Sequence, residues 1–225
     1  MSWLAILEVD AEFIHSAGIS RDIYTWHKML WQCYPNGPDR TRTDIGFLTR
    51  IDQLEGAYRF WIMAREKPAR PPWCPPEGFA VKEISSAFLS HGQYAFDLKA
   101  NPVKARVQRE GGQPLYKANG KRKSGKREPL TKKEELMQWL FRKAEKGGFR
   151  IADTECLEIS PMVESHFRKK DKTNNKEYAA YHGGVQFRGI LEVTDQKSFE
   201  ETYYAGVGCA KGFGFGLLLL APVDL

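Results

Sequence analysis

The sequence predicts an α+β fold of two tandem ferredoxin-like units, each with helices on one face of an antiparallel sheet. The order of the expected elements supports this. A strand, a helix and two strands come first, and a strand pair, a helix, strands, a helix and a final strand follow. The length of 225 residues allows two domains of about 100 residues each. We therefore expect an N-terminal domain over residues 1–90 and a C-terminal domain over 91–225.

The elements of the first unit follow from hydrophobic periodicity and from proline. Residues 21–34 have helical spacing, because four apolar side chains fall on one stripe: Ile23, Trp26, Leu30 and Tyr34. The segment Pro68–Gly78 carries five prolines and is expected to be irregular. Apolar runs predict strands at 3–9, 44–51 and 57–65.

The second unit is marked by helix boundary signals. A capping box at Thr131–Glu134 opens a helix that Gly147 and Gly148 close, and Asp195 is placed to cap a last helix. The stretch 111–127, rich in Gly, Lys and Arg, is expected to be an exposed loop. Strands are expected at 93–100, 103–109, 149–159, 162–169, 179–193 and after the glycine-rich segment at the C-terminus.

That glycine-rich segment, Gly206–Gly216, has five glycines and one cation, Lys211. Glycines leave the backbone open to close approach and to positive φ, which favours an anion site built from main-chain N–H groups. A helix precedes the segment and a strand follows it, so the dinucleotide and Walker patterns, which open a helix, fit poorly. On this segment alone, a tight helix-to-strand turn is slightly favoured over a phosphate-binding loop.

The charge is unusual for an otherwise ordinary composition. The chain carries a net charge of +6 with a pI near 9.1. Residues 99–127 hold ten Lys and Arg and one acid, Glu110, and a second basic connector spans Arg168–Lys176. Two basic loops on a doubled α+β scaffold favour RNA as the partner, since each neutralised phosphate releases counterions.

Several classes of protein are disfavoured. The N-terminus meets acidic residues early and lacks the basic start of a signal peptide, and no apolar run approaches the roughly 20 residues of a membrane span. The cysteines at 33, 74, 156 and 209 form no ligand spacing, and the histidines show no metal-binding pattern. We expect a cytoplasmic protein with free thiols, no membrane association, no metal and no cofactor.

The face of the first helix that carries Tyr24, His27, Lys28 and Trp31 holds the best candidate chemistry. An imidazole exchanges protons near neutral pH, a phenol can position a hydroxyl, and an ammonium stabilises charge on a phosphate. Such a trio suits cleavage of RNA by attack of a 2′-OH. Spacing alone favours the simpler interpretation that this face covers the sheet and that His27 is inert. A nucleophilic Cys33 has no supporting pattern.

Five segments in this order resemble one known family over essentially the whole chain. They are Tyr24–His27, Leu98–Lys104, Gly147–Arg150, Phe167–Asp171 and Gly206–Gly216. The family is CasE, the CRISPR-associated repeat endoribonucleases of type I-E (Cascade) systems. The last segment is similar to the glycine-rich loop of that family. The basic stretch 111–127 departs from it, being richer in Lys and Arg than the corresponding family loop.

The resemblance implies metal-independent cleavage of precursor CRISPR RNA at the base of the repeat stem-loop. It implies 5′-OH and 2′,3′-cyclic phosphate ends and retention of the product as a Cascade subunit, so the expected partners are repeat stem-loop RNA and other Cascade subunits. His27 matches the catalytic histidine and Tyr24 the active-site tyrosine, and we add Lys28 from the helix face. The alternative is a non-catalytic subunit that holds an RNA hairpin.

Residues expected to contact RNA fall into two groups. Some match basic positions of the family: Lys104, Arg106, Arg168, Lys169 and Lys170. Others come from the basic stretches and the glycine-rich segment of this chain: Lys99, Arg109, Lys172, Lys211, Gly212 and Gly214.

Overall fold

A computed structural model describes residues 2–19, 22–35, 45–116, 118–120, 124–170 and 177–223. Its two main sheets are antiparallel, which confirms the expected α+β class. One sheet takes its strands from residues 2–84 and the other from residues 93–222. Among these residues, no helix combines the length and the apolar character needed to cross a bilayer.

The first sheet has the strand order β2-β3-β1-β4. Strand β1 pairs with β3 from Trp3 opposite Ala64 to Asp10 opposite Ala57. Alternate residues of β1 are fully or almost fully buried, which places one face of the sheet against the N-terminal core. The strands are β1 (Ser2–Asp10), β2 (Leu48–Gln53), β3 (Ala57–Ala64) and β4 (Phe79–Ile84).

The helices described in full within this half are α1 (Ala11–Ser16), α2 (Ile23–Trp31) and α3 (Ser86–Leu89). Helix α2 connects β1 to β2. The connection from β3 to β4 has a single 3₁₀ turn, η1 (Pro76–Gly78), within the described segment 65–78. This confirms that the proline-rich stretch is irregular, since proline removes backbone donors and fixes φ.

The second sheet has the strand order β10-β13-β5-β14. If the four strands of each sheet are numbered in chain order, both sheets have the spatial order 2-3-1-4. This is the strand order of a βαββαβ unit. The strands are β5 (Gln93–Ala100), β10 (Phe149–Ile151), β13 (Glu177–Val193) and β14 (Leu218–Pro222), with β11 (Glu158–Ile159) and β12 (Val163–Lys170) pairing along β13.

Two helices, α4 (Lys133–Lys146) and α5 (Gln196–Ala205), cover the second sheet. Their buried side chains include Trp139, Leu140 and Phe199, which belong to the C-terminal core. The Asp195 side chain accepts a hydrogen bond from the Ser198 N–H at 2.7 Å, which confirms the expected cap of α5. The capping box was wrong: α4 begins at Lys133, and its N-cap, Lys132, makes no side-chain bond. Thr131 therefore lies outside the first turn.

The loop expected over 111–127 is partly wrong. Strand β6 (Val103–Val107) pairs with β9 (Ser124–Pro129), and β7 (Arg109–Glu110) forms a short hairpin with β8 (Gln113–Pro114). Gly111 and Gly112 both have positive φ at the hairpin turn, a conformation that glycine adopts without strain. The strand expected over 149–159 is likewise interrupted between β10 and β11.

A buried arginine joins the two sheets. Arg50 of β2 is 3% exposed and makes two hydrogen bonds to the Asp97 carboxylate of β5, at 2.7 and 3.2 Å. Asp97 also accepts from Gln186 and Arg188 of β13, while Asp52 accepts from Arg50. Burial alone would raise the pKa of Asp97, but the Arg50 guanidinium and the other donors outweigh it and hold that pKa below its ordinary value.

We expect Asp97→Asn to lower the free energy of unfolding near pH 7 by roughly 2 kcal/mol. The loss is smaller than the about 3–5 kcal/mol for breaking a fully buried pair because Asp52 still contacts Arg50. Since the folded-state pKa of Asp97 is depressed, its contribution is present above the ordinary carboxyl value of about 3.9 and disappears as the pH falls through the folded value. Urea unfolding at a series of pH values measures this.

The matched control is Glu8→Gln, which breaks the more exposed pair between Glu8 and Arg59 within the first sheet. It should cost less than about 1 kcal/mol. Equal losses for the two variants, or a loss for Asp97→Asn that does not shrink at low pH, would contradict this role for the Arg50–Asp97 pair.

Candidate functional site

Helix α2 is fixed to the first sheet by its apolar stripe. Trp26 is 3% exposed and packs on Tyr58 and Phe60 of β3, with ring centroids 5.2 and 4.9 Å apart, and Leu30 is fully buried. At the N-terminal end, the Asp22 carboxylate accepts from the Thr25 N–H at 3.0 Å. The expected stripe is confirmed at its described positions, and it leaves the other face of α2 for chemistry.

His27 lies on that other face and is half-buried. Its Nε2 accepts a hydrogen bond from the indole N–H of Trp31 at 3.0 Å, and its ring lies 5.7 Å from that of Phe47. Because Nε2 is an acceptor here, a neutral His27 carries its proton on Nδ1. The imidazole is therefore held in one orientation and one tautomer.

The neighbours of His27 in the expected trio are placed differently. Lys28 is exposed in the last turn of α2. Tyr24 belongs to the same helix, but its side chain is outside the described part of the structure. The catalytic roles of all three residues stay predictions.

The two ends of the glycine-rich loop, Gly206–Gly216, are hydrogen-bonded to each other and to β5. The Val207 N–H donates to the Gly216 carbonyl at 2.8 Å, and the Gly216 N–H donates to the Lys99 carbonyl of β5 at 2.7 Å. Both glycines have positive φ, and a Cβ on Gly206 would come within 2.9 Å of the Gly216 carbonyl oxygen. Glycine is therefore required at both ends of the loop.

Within the loop, a 3₁₀ turn, η2, spans Lys211–Phe213. The Lys211 ammonium donates to the Ala205 carbonyl at 2.6 Å, where the partial negative charge at the end of α5 attracts a cation. Gly214 faces Ile51 of β2. Lys211 thus makes a contact within the protein in addition to its predicted contact with RNA. Contact of Gly212 and Gly214 with RNA also stays a prediction.

Three parts of the chain that are distant in sequence meet at α2. Both η2 and strand β12 have Cα atoms within 8 Å of Cα atoms of α2, and η2 also approaches β2. The helix that carries His27 and Lys28 is therefore adjacent to the glycine-rich loop and to the strand that ends in Arg168–Lys170.

The other basic candidates have partners within the protein. Lys99 donates to the Ile51 carbonyl at 2.6 Å, between the sheets. Burial lowers the pKa of its ammonium, although the charge of Asp52 opposes this. Lys104 pairs with Glu135 at 2.9 Å, and Arg106 pairs with Glu128 at 2.8 Å. Both basic side chains are themselves exposed, so contact with RNA would compete with these ion pairs.

The remaining candidates are only partly covered. Lys172 is outside the described residues, and so are the side chains of Arg109, Arg168, Lys169 and Lys170. Their backbones place Arg109 in β7 and residues 168–170 at the end of β12.

Cys33 is poorly suited to act as a nucleophile. Its side chain is 1% exposed, and burial, with a smaller contribution from Cys74, raises the pKa of the thiol to about 12. Near neutral pH it is therefore a protonated thiol inside the N-terminal core. Among the described residues, no group of three or more His, Cys, Asp or Glu side chains could hold a metal ion.

Two features of this site were not predicted. Trp31 was expected on the face of His27, but the hydrogen bond between them was not, although the spacing of four residues allows it. Arg50 was given no role, and its partner Asp97 lies on a strand 47 residues away. No local pattern reports such a partner.

Comparison with known proteins identifies the family. The family described as "CRISPR associated protein" matches residues 2–222. The chain belongs to this CRISPR-associated family. One relative is the CRISPR system Cascade subunit CasE of Escherichia coli K12, 28% identical over 204 residues that cover 91% of this chain and 94% of the relative. Another is the CRISPR-associated endoribonuclease Cse3 of Thermus thermophilus, 31% identical over 147 residues, 64% of this chain and 63% of the relative.

Solved structures of this CRISPR-associated family share the fold. The CRISPR-associated protein Cas6e from Escherichia coli K-12 superposes with a TM-score of 0.69 and 23% identity, covering 99% of this chain and 100% of that chain. Endoribonuclease Cse3 bound to a 19-nucleotide RNA superposes with a TM-score of 0.71 and 23% identity, covering 98% and 100%. The expected resemblance and the tandem ferredoxin-like fold are both confirmed.

We expect Trp31→Phe to change the tautomer of His27 without unfolding the protein, because phenylalanine keeps the aromatic contact and removes the N–H donor. Long-range ¹H–¹⁵N correlation spectra distinguish the two neutral tautomers. The wild-type protein should show the proton on Nδ1, and the variant should shift towards Nε2–H. Trp61→Phe is the matched control, since it removes an indole N–H that donates to Asp52 instead. A wild-type spectrum dominated by Nε2–H would contradict the assignment.

Proposed function

We propose that this protein is a metal-independent endoribonuclease that cleaves precursor CRISPR RNA at the base of the repeat stem-loop. Its Escherichia coli relative is named as a Cascade subunit and its Thermus relative as an endoribonuclease. Membership of the same family, with coverage of nearly the whole chain, supports a shared activity.

The observation that carries the proposal is the meeting of α2, the glycine-rich loop and β12. We assign α2 to an N-terminal domain over 1–90, and the loop and the basic strand to a C-terminal domain over 91–225. RNA bound between them would contact the proton-exchanging His27 from one domain and phosphate-binding groups from the other. Neither domain alone would supply the complete set.

The proposed reaction needs only proton transfers and alignment. The 2′ oxygen loses its proton and forms a bond to the adjacent phosphorus, while the bond from phosphorus to the 5′ oxygen breaks. The leaving 5′ oxygen takes up a proton. The products carry a 2′,3′-cyclic phosphate and a 5′-OH. An imidazole can serve at either proton transfer.

The tautomer of His27 defines how it would take part. In the neutral tautomer that the Trp31 bond favours, Nδ1 carries the hydrogen and Nε2 is the atom that can accept a proton. RNA must then displace the Trp31 N–H from Nε2 before His27 can act as a base. Bound RNA would thereby free the imidazole nitrogen that Trp31 otherwise occupies.

Positive charge completes the proposed site. We propose that Lys28 stabilises the phosphate that gains charge in the transition state and that Tyr24 positions the 2′-OH. The loop residues Lys211, Gly212 and Gly214 would hold a phosphate nearby. Phosphates of the stem would be bound by basic residues of β5, β6 and β7 and of the basic connector Arg168–Lys176. These residues are Lys99, Lys104, Arg106, Arg109, Arg168, Lys169, Lys170 and Lys172.

The protein is proposed to remain on its product. Many phosphate contacts give slow dissociation, since each contact adds to salt-dependent affinity. Retention of the mature CRISPR RNA and assembly with other Cascade subunits follow as parts of the same proposal.

We expect His27→Ala to reduce the single-turnover rate of RNA cleavage by about 10²–10⁴-fold, the usual contribution of one general acid or base. Binding of the repeat RNA should change little, because phosphate contacts supply most of the affinity. Gel-based cleavage assays and filter binding measure the two quantities. His15→Ala is the matched control, since His15 is an exposed histidine at the end of α1.

Full cleavage by a folded His27→Ala variant would refute the proposed mechanism. Tight, salt-sensitive binding by the wild-type protein with no product would favour the alternative, a non-catalytic subunit that holds the RNA hairpin.

A further inference from the structure

A pocket of about 500 Å³ opens where two paired strands separate. The pairing of β5 with β13 ends at Ala100 opposite Val185. Beyond this point β13 pairs with β12, whereas the chain after β5 continues into β6 and its partner β9. The pocket lies between β13 and the chain that leads from β5 into β6.

The glycine-rich loop forms the third side of this pocket. Cys209, Ala210 and Phe213 line it, and Phe213 belongs to η2, the turn that approaches α2. The Cys209 thiol donates to the Asn101 carbonyl at 3.3 Å, which ties the loop to the end of β5. A ligand in the pocket would therefore share the glycine-rich loop with the site around His27.

Aromatic rings give the pocket the character of a stacking site. Tyr181 of β13 lines the pocket and is 46% exposed, so its ring is accessible to a ligand. Phe213 also lines the pocket, and its ring lies 4.8 Å from the imidazole of His182. Unpaired RNA bases are recognised by stacking on such rings, and each stacked base adds substantially to affinity.

The polar groups of the pocket fit a nucleotide. Asn101 is 3% exposed, its Nδ2 lies 3.0 Å from Nδ1 of His182, and within the described part of the chain its Oδ1 has no hydrogen-bond partner. The Asn101 amide and the His182 imidazole thus give the pocket lining a polar, hydrogen-bonded side. Arg127 lines the pocket and is exposed, and among the described residues the lining includes no carboxylate. A phosphate is therefore favoured there.

We propose that this pocket binds one unpaired base of the RNA, stacked on Tyr181, at a nucleotide next to the stem and separate from the cleaved bond. The inference rests on the proposed function, because it takes the RNA substrate as the ligand. It adds a site that reads the single-stranded flank, whereas the basic strands bind the stem.

The test couples a protein variant to a missing base. Repeat hairpins are prepared with an abasic sugar at each unpaired flanking nucleotide in turn, and their binding is measured with the wild-type protein and with Tyr181→Ala. In the wild type, one abasic position should weaken binding on the order of ten-fold. Tyr181→Ala should bind the intact RNA as weakly as the wild-type protein binds that abasic RNA. Removing the same base should not weaken binding to Tyr181→Ala any further.

Two variants serve as controls. Tyr181→Phe keeps a ring and should keep most of the affinity and the abasic penalty. Phe13→Ala removes a comparably exposed ring, 42% exposed on α1, and should leave both unchanged. A Tyr181→Ala protein that binds like the wild type with the abasic penalty intact would overturn the pocket assignment.

The same reactions separate the two proposals. If the wild-type protein cleaves the intact hairpin but Tyr181 shows no coupling to any base, the pocket proposal fails and the nuclease proposal stands. If Tyr181 is coupled to one base but no product forms, the pocket proposal stands and the nuclease proposal fails.

Discussion

The structure depends on the buried guanidinium of Arg50. It extends from β2 of the first sheet to Asp97 on β5, a strand that is paired on both sides in the second sheet. A buried charge is tolerated only when its hydrogen bonds are satisfied, so the pair fixes the relative position of the two strands within narrow limits. Lys99 strengthens the junction by donating to the Ile51 carbonyl.

The position of the glycine-rich loop depends on this contact between β2 and β5. The Gly216 N–H at the end of the glycine-rich loop donates to the carbonyl of Lys99, which is two residues after Asp97 in β5. Gly214 faces Ile51, which follows Arg50 in β2. The loop is therefore held against β2 and, through η2, against α2. His27 lies on α2 with its imidazole oriented by Trp31, and α2 is itself adjacent to the loop through η2.

The fold was largely predictable because its signals are local. The stripe of Trp26 and Leu30, the cap at Asp195 and the proline-rich connection each fix an element through neighbours in sequence. The capping box at Thr131 failed because helix α4 begins one residue later than the box requires. At the site, the face of His27 was predicted, but the partners of Arg50, Lys99 and Asn101 were not, since these contacts join residues 47 to 108 positions apart. Tertiary pairing decides them.

The most direct test of the central claim is cleavage of a repeat hairpin RNA in excess EDTA, comparing all-ribose RNA with RNAs that carry a single 2′-deoxy sugar at each candidate position. Attack by a 2′-OH without a metal predicts that the all-ribose RNA is cut and that one 2′-deoxy substitution abolishes cleavage while binding persists. Cleavage of every 2′-deoxy RNA, or activity only after a divalent metal is added, would contradict the account.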